Sequence, residues 1–177
     1  MMNKKAKTKQ VETESIAYKG NVTVSVMSGN KTIKKYDIGN SSTLLMLNNI
    51  VYHLLGWNAD NIPKFMGLGS SNSTNWTIRD TDLVSPYAGT RVKTVVEAPI
   101  VGGTGVTAVF SATFPYSLIA GKEINEVGLY TTDAESDGLL ARIRFIEGIK
   151  ANSGEKFSLK IDWQITITNV GGNNQWA

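Results

Sequence analysis

Near its start the chain alternates apolar and polar residues with a period of two. Val22 to Met27 reads Val-Thr-Val-Ser-Val-Met and, after Ser28-Gly29-Asn30, Thr32 to Ile38 alternates again, which predicts a β-hairpin closed by a Gly-Asn turn. The period then changes. From Thr43 onward Leu44, Leu47, Val51, Leu54 and Leu55 recur at helical spacing, so an amphipathic helix of about three turns, near 43–55, is expected against a sheet. Ser41 or Ser42 is its expected N-cap and Gly56 its stop. An apolar strand around Phe65 to Leu68 follows, then a long polar Gly/Ser/Asn loop that runs to the Ser85-Pro86 turn and Gly89.

The remaining pattern is the strongest. Thr90 to Glu97 reads as one strand; Val106, Ala108, Phe110, Ala112 and Phe114 share one face of the next; Phe157, Leu159, Ile161, Trp163, Ile165 and Ile167 share one face of the last. Between them Ile124 to Tyr130 and Leu139 to Gly148 flank the polar turn Thr-Thr-Asp-Ala-Glu-Ser-Asp-Gly as a hairpin with a long loop. Seven or eight strands with one wet face each are best buried as an antiparallel β-sandwich, mainly β with one short amphipathic helix, over residues 18–168. Residues 1–17 then read as a basic flexible arm and 169–177 as a Gly/Asn-rich tail ending in Trp176 and Ala177.

Charge changes this picture only at one end. The 177 residues hold 18 Lys plus Arg against 15 Asp plus Glu, a formal +3, but Lys4, Lys5, Lys7 and Lys9 lie in the first ten residues, leaving 14 basic against 15 acidic side chains beyond them. A nucleic-acid binder is expected to spread its cations over a folded face, so the arm is expected to meet neighbouring proteins, with DNA as the lesser alternative. No apolar stretch has the length of a secretory signal or a membrane span, so neither export by that route nor membrane insertion is expected. With no cysteine, disulfides and thiol chemistry are excluded.

Candidate chemistry is sparse. His53 is the only histidine, without a metal-binding motif, and it reads as a helix-flank residue. Gly67 and Gly69 with the following serines lack the phosphate-loop pattern and read as a turn-rich connection. Asp80 and Asp82 beside Arg79 lack calcium-loop spacing and read as surface or loop-ordering residues. Glu123, Glu126, Asp133, Glu135, Asp137 and Glu147 could supply a carboxylate pair, but they read mostly as solvated acids at turns and strand ends. No catalytic residue, metal or cofactor is expected. Trp163 falls in the core register and Trp57 at the helix end, which leaves Trp76, Tyr87 and Trp176 to face outward, as a sugar platform or as subunit contacts. Together with the four arm lysines they are the candidate inter-subunit residues.

Five segments occur in a telling order: Phe-Met-Gly-Leu-Gly-Ser-Ser-Asn-Ser from Phe65, the Asp80 to Thr94 stretch with Leu83, Ala108 to Ser117 with its Phe-Ser-Ala-Thr-Phe strand, Ile124 to Phe145 with Glu126, Gly128 and Leu-Leu-Ala-Arg, and Phe157 to Ile167 with Trp163. This series, covering about Phe65 to Thr168, resembles the β-sandwich of bacteriophage tail-fibre and related virion structural proteins. The resemblance implies a non-enzymatic, oligomeric part of a tailed phage particle, assembled in the host cytoplasm into the virion, in the tail, a fibre base or the collar near the portal. It also implies structural roles for Glu126, as a strand-end acid, and Gly128, as a close-packing glycine. Neither a repetitive shaft nor a large distal adhesin domain is present in the 177 residues, so an adaptor or connector that joins copies of itself and other virion proteins is the leading expectation. A receptor- or carbohydrate-binding module comes second, and an enzyme a distant third.

Overall fold

The hairpin forms where alternation and turn chemistry coincide: β1 (Ile16–Ser28) and β2 (Lys31–Gly39) pair antiparallel across a turn in which Gly29 holds φ +57°, a left-handed conformation that favours glycine. The molecule is known from a computed structural model that describes residues 16–55, 62–103, 105–151 and 156–169. After the hairpin come β3 (Ser41–Ser42), helix α1 (Leu44–Leu54), β4 (Phe65–Gly69), β5 (Val92–Lys93), β6 (Val95–Val96), β7 (Ile100–Gly102) and β8 (Gly105–Phe114). The single-turn helix α2 (Tyr116–Ile119), β9 (Glu123–Tyr130), β10 (Leu139–Lys150) and β11 (Ser158–Asn169) complete the order.

These strands build two antiparallel sheets, a mainly β sandwich as the alternation predicts. The first runs β2-β1-β11-β8-β6, with β7 also on β8; the second runs β3-β10-β9-β4-β5. In the first sheet Val22, Trp163 and Phe110 stand side by side in register, as do Val24, Ile161 and Ala112, and Val26, Leu159 and Phe114. All nine belong to the core, where they meet Met66, Leu68, Val127, Leu129, Ile143 and Phe145 of the second sheet. The opposite face of the first sheet carries polar partners instead: Thr107 with Thr166 at 2.8 Å, and the Ser111 hydroxyl donating to Asp162 at 2.6 Å.

Several details depart from the sequence reading. Among the described residues there are eleven strands, four of them only two or three residues long. The single strand expected over Thr90 to Glu97 is broken at Thr94, so that β5 joins the second sheet and β6 the first. Buried Thr94 makes that corner, its backbone N–H bonded to the carbonyl of Lys64 at 2.8 Å. Helix α2, with four residues, is too short to show a period in the sequence. Strand β1 begins at Ile16, inside the stretch read as arm, paired with Asn169.

The N-cap of α1 is Thr43, not Ser41 or Ser42, which form β3 against Arg142 and Ala141. Thr43 makes no side-chain cap bond; its hydroxyl lies 2.7 Å from the carbonyl of Leu139 and 3.0 Å from that of Leu140, pinning the helix start to β10. Gly56 and Trp57 lie outside the described residues, as do Lys4, Lys5, Lys7, Lys9 and Trp176. Among the described residues no helix is long and apolar enough to cross a membrane.

Candidate interaction surface

Of the apolar stripe that identifies α1 in the sequence, Leu44, Leu47, Val51 and Leu55 point away from the core, and the Leu54 side chain lies outside what the structure describes. Met46 is buried and Leu45 and Ile50 pack on the core, whereas Leu44, Leu47, Val51 and Leu55 are exposed, Val51 by 52% and Leu55 by 54%. The expectation that this stripe packs on the sheet is therefore corrected. At spacings of three and four residues these side chains form a continuous outward ridge. Ile78, also exposed, adjoins its first turn, because the Leu44 N–H donates to the Ile78 carbonyl at 2.6 Å.

A second apolar margin lies on the outer edge of the first sheet. Val95, Val96, Ile100 and Val101 of β6 and β7 are all exposed, and Val101 pairs with half-exposed Val106 of β8. At the opposite edge β2 carries Lys31, Lys34 and Lys35, charges that discourage strand addition there.

The long loop after β4 is held on the outward face of the second sheet by two polar clusters. On that face Gly67 sits opposite Gly128, and Gly69 opposite Glu126. A Cβ at Gly128 would lie 2.6 Å from the Tyr130 ring, and one at Gly69 2.6 Å from the Glu126 carboxylate, so the absent side chains make a flat strip on which Tyr130 and Glu126 lie. The close-packing role implied for Gly128 fits this geometry.

Glu126 itself is completely buried in mid-strand, which corrects both its reading as a solvated acid and its placing at a strand end. Its Oε1 accepts from the Ser85 N–H at 2.8 Å and the Ser71 N–H at 3.4 Å; its Oε2 accepts from the Val84 N–H at 3.3 Å and from Nη2 of buried Arg142 at 3.0 Å. One carboxylate thus ties both ends of the loop to the sheet. In the second cluster the Tyr130 hydroxyl donates to Asp82 at 2.7 Å, while the Arg91 guanidinium stacks on the Tyr130 ring at 3.8 Å and pairs with Asp82 at 3.2 Å. Burial, and then the hydrogen bond to and charge of Asp82, push the Tyr130 phenol well above its ordinary range. Arg91 also donates to the carbonyls of Thr132, Ala134 and Asp137, fixing the turn before β10. Asp82 accordingly orders the loop, as read from the sequence; Asp80 does so locally, accepting from the Thr77 N–H at 3.0 Å.

Tyr87 and Trp76 are both half-buried in this loop. The Tyr87 hydroxyl donates to the Glu123 carbonyl at 3.1 Å and its ring packs on the core, with Lys122 Nζ 5.5 Å from the ring centre. Trp76 lies against Arg142, whose guanidinium carbon is 6.0 Å from the indole centre. The structure therefore adds Glu126, Arg142, Arg91 and Tyr130 to the residues that shape the surface. Glu126 and Arg142 are 16 positions apart, a pairing with no local sequence signal. Comparison of the chain with protein-family models, with curated proteins and with solved structures finds no match.

Proposed function

We propose that the chain is a non-enzymatic structural protein of a phage particle, an adaptor or connector of the tail, fibre base or collar that assembles with copies of itself and with other virion proteins. The observation that carries the reading is the outward ridge of α1, Leu44, Leu47, Val51 and Leu55, on a helix whose other side already packs on the core. A contiguous apolar patch left exposed on a folded surface marks a contact surface. The exposed valines and isoleucines of β6 and β7 offer a second face, as a subunit set between two neighbours requires. The ordered motif series from Phe65 to Thr168 supplies the phage context.

The test is the intact particle. Purified virions should contain the chain at a fixed copy number, and Leu47→Glu with Val51→Glu should abolish incorporation while the variant remains folded. A wild-type chain missing from purified virions, and monomeric when mixed with their proteins, overturns the proposal.

A further inference from the structure

Beside the Glu126 cluster, pairing leaves a donor over. Arg142 is 3% exposed, and only its Nη2 meets Glu126; its Nη1 is buried with no hydrogen-bond partner among the described residues. A buried guanidinium N–H without a partner is expensive, and such an atom in a folded chain calls for a ligand or an ordered water. Arg142 lines a pocket of about 230 Å³ whose walls also include Arg144, Ser41, Ser73, Thr74 and Trp76. None of its lining residues is acidic.

The geometry follows from the strand. Arg142 and Arg144 are two positions apart on β10 and so project from the same face of the sheet. Arg144 Nη1 donates to the Asn72 carbonyl at 2.7 Å, which holds it at the rim. Glu126 offsets one of the two positive charges, so the pocket is suited to a monoanion. A planar carboxylate matches the fork of a guanidinium, whereas a dianionic phosphate would bring excess negative charge close to Glu126. Of the remaining wall, Ser41, Ser73 and Thr74 bring hydroxyl side chains and Trp76 an indole, while Gly39 and Ile143 complete it. Hydroxyls exchange hydrogen bonds with a polyol, and an indole offers the flat apolar surface on which a sugar ring rests.

We propose that this pocket binds an acidic sugar, its carboxylate taken by Arg142 and Arg144 and its ring set among Ser41, Ser73, Thr74 and Trp76. The inference stands apart from the assembly role and survives if that role fails. Its test is titration of the full-length protein, by calorimetry and by ligand-observed NMR, with glucuronate, glucose, acetate and an uncharged-end peptide containing a single Glu. Glucuronate should bind saturably, at least about tenfold more tightly than glucose because charge-assisted bonds are lost in the neutral sugar, and more tightly than acetate. Arg144→Ala and Trp76→Ala should each weaken glucuronate several-fold, measured well below the thermal midpoint of each variant so that it is folded. Equal affinity for acetate, or tighter binding of the peptide, overturns the sugar assignment. Absence of saturable glucuronate binding overturns the site altogether and leaves Arg142 Nη1 to water.

Discussion

Taking away the Glu126 carboxylate would strand the buried Arg142 charge together with the N–H groups of Ser71, Val84 and Ser85. Breaking one side of such a pair costs about 3–5 kcal/mol, so Glu126→Ala should lower the denaturant midpoint steeply, and a loss under about 1 kcal/mol would remove the pair from its anchoring role. Gly128→Ala forces a methyl against the Tyr130 ring and the Leu139 side chain, within 2.6 and 2.8 Å, and should destabilise by about 1–3 kcal/mol. Gly67→Ala, whose nearest contact would be 3.1 Å, should cost less in the same urea titration. Tyr130 links stability to alkaline pH. Its phenol is raised in the folded chain, so the stability it supplies is whole below the unfolded value near pH 10 and declines as pH rises beyond it. Tyr130→Phe should therefore lose less stability than wild type between about pH 9 and pH 11, and parallel curves would contradict the linkage.

On helix α1 the two faces separate folding from association. Met46→Ala opens a hole under the helix and should cost about 2–5 kcal/mol, whereas Leu47→Glu or Val51→Glu should stay within about 0.5 kcal/mol of wild type in isolation and change only the sedimentation of assemblies. The helix was legible in the sequence and its orientation was not. Leu45, Met46 and Ile50 provide one apolar face and Leu44, Leu47, Val51 and Leu55 another, and a local period cannot say which meets the sheet. The long strands were legible for the opposite reason, since an alternating strand has a single apolar face to bury. Strands β3, β5 and β6 have two residues each, too short for any period, and their existence depends on partners distant in the chain. The pocket beside Trp76 was hidden likewise: Trp76 was visible as a candidate, but Arg142 and Arg144 sat within a strand pattern, and the loop that brings Trp76 to them is positioned by Glu126.

At the scale of the molecule, the first strand and the last are partners: Ile16 pairs with Asn169, and β11 lies between β1 and β8 as the middle of its sheet. A chain cut before Ser158 loses that middle and should show no cooperative unfolding transition; a cooperative melt from such a fragment would mean that the β1–β2 hairpin and β8 can find each other without it. Long-range pairing of this kind also slows folding, into the millisecond-to-second range. The same arrangement sets a condition on synthesis. The hairpin of β1 and β2 leaves the ribosome before β11, so the edge of β1 that β11 will occupy stays open until β11 has been made. During that interval a neighbouring nascent chain can offer an identical β11, so crowded translation favours exchange of β11 between copies, and slower expression should raise the fraction that closes on itself.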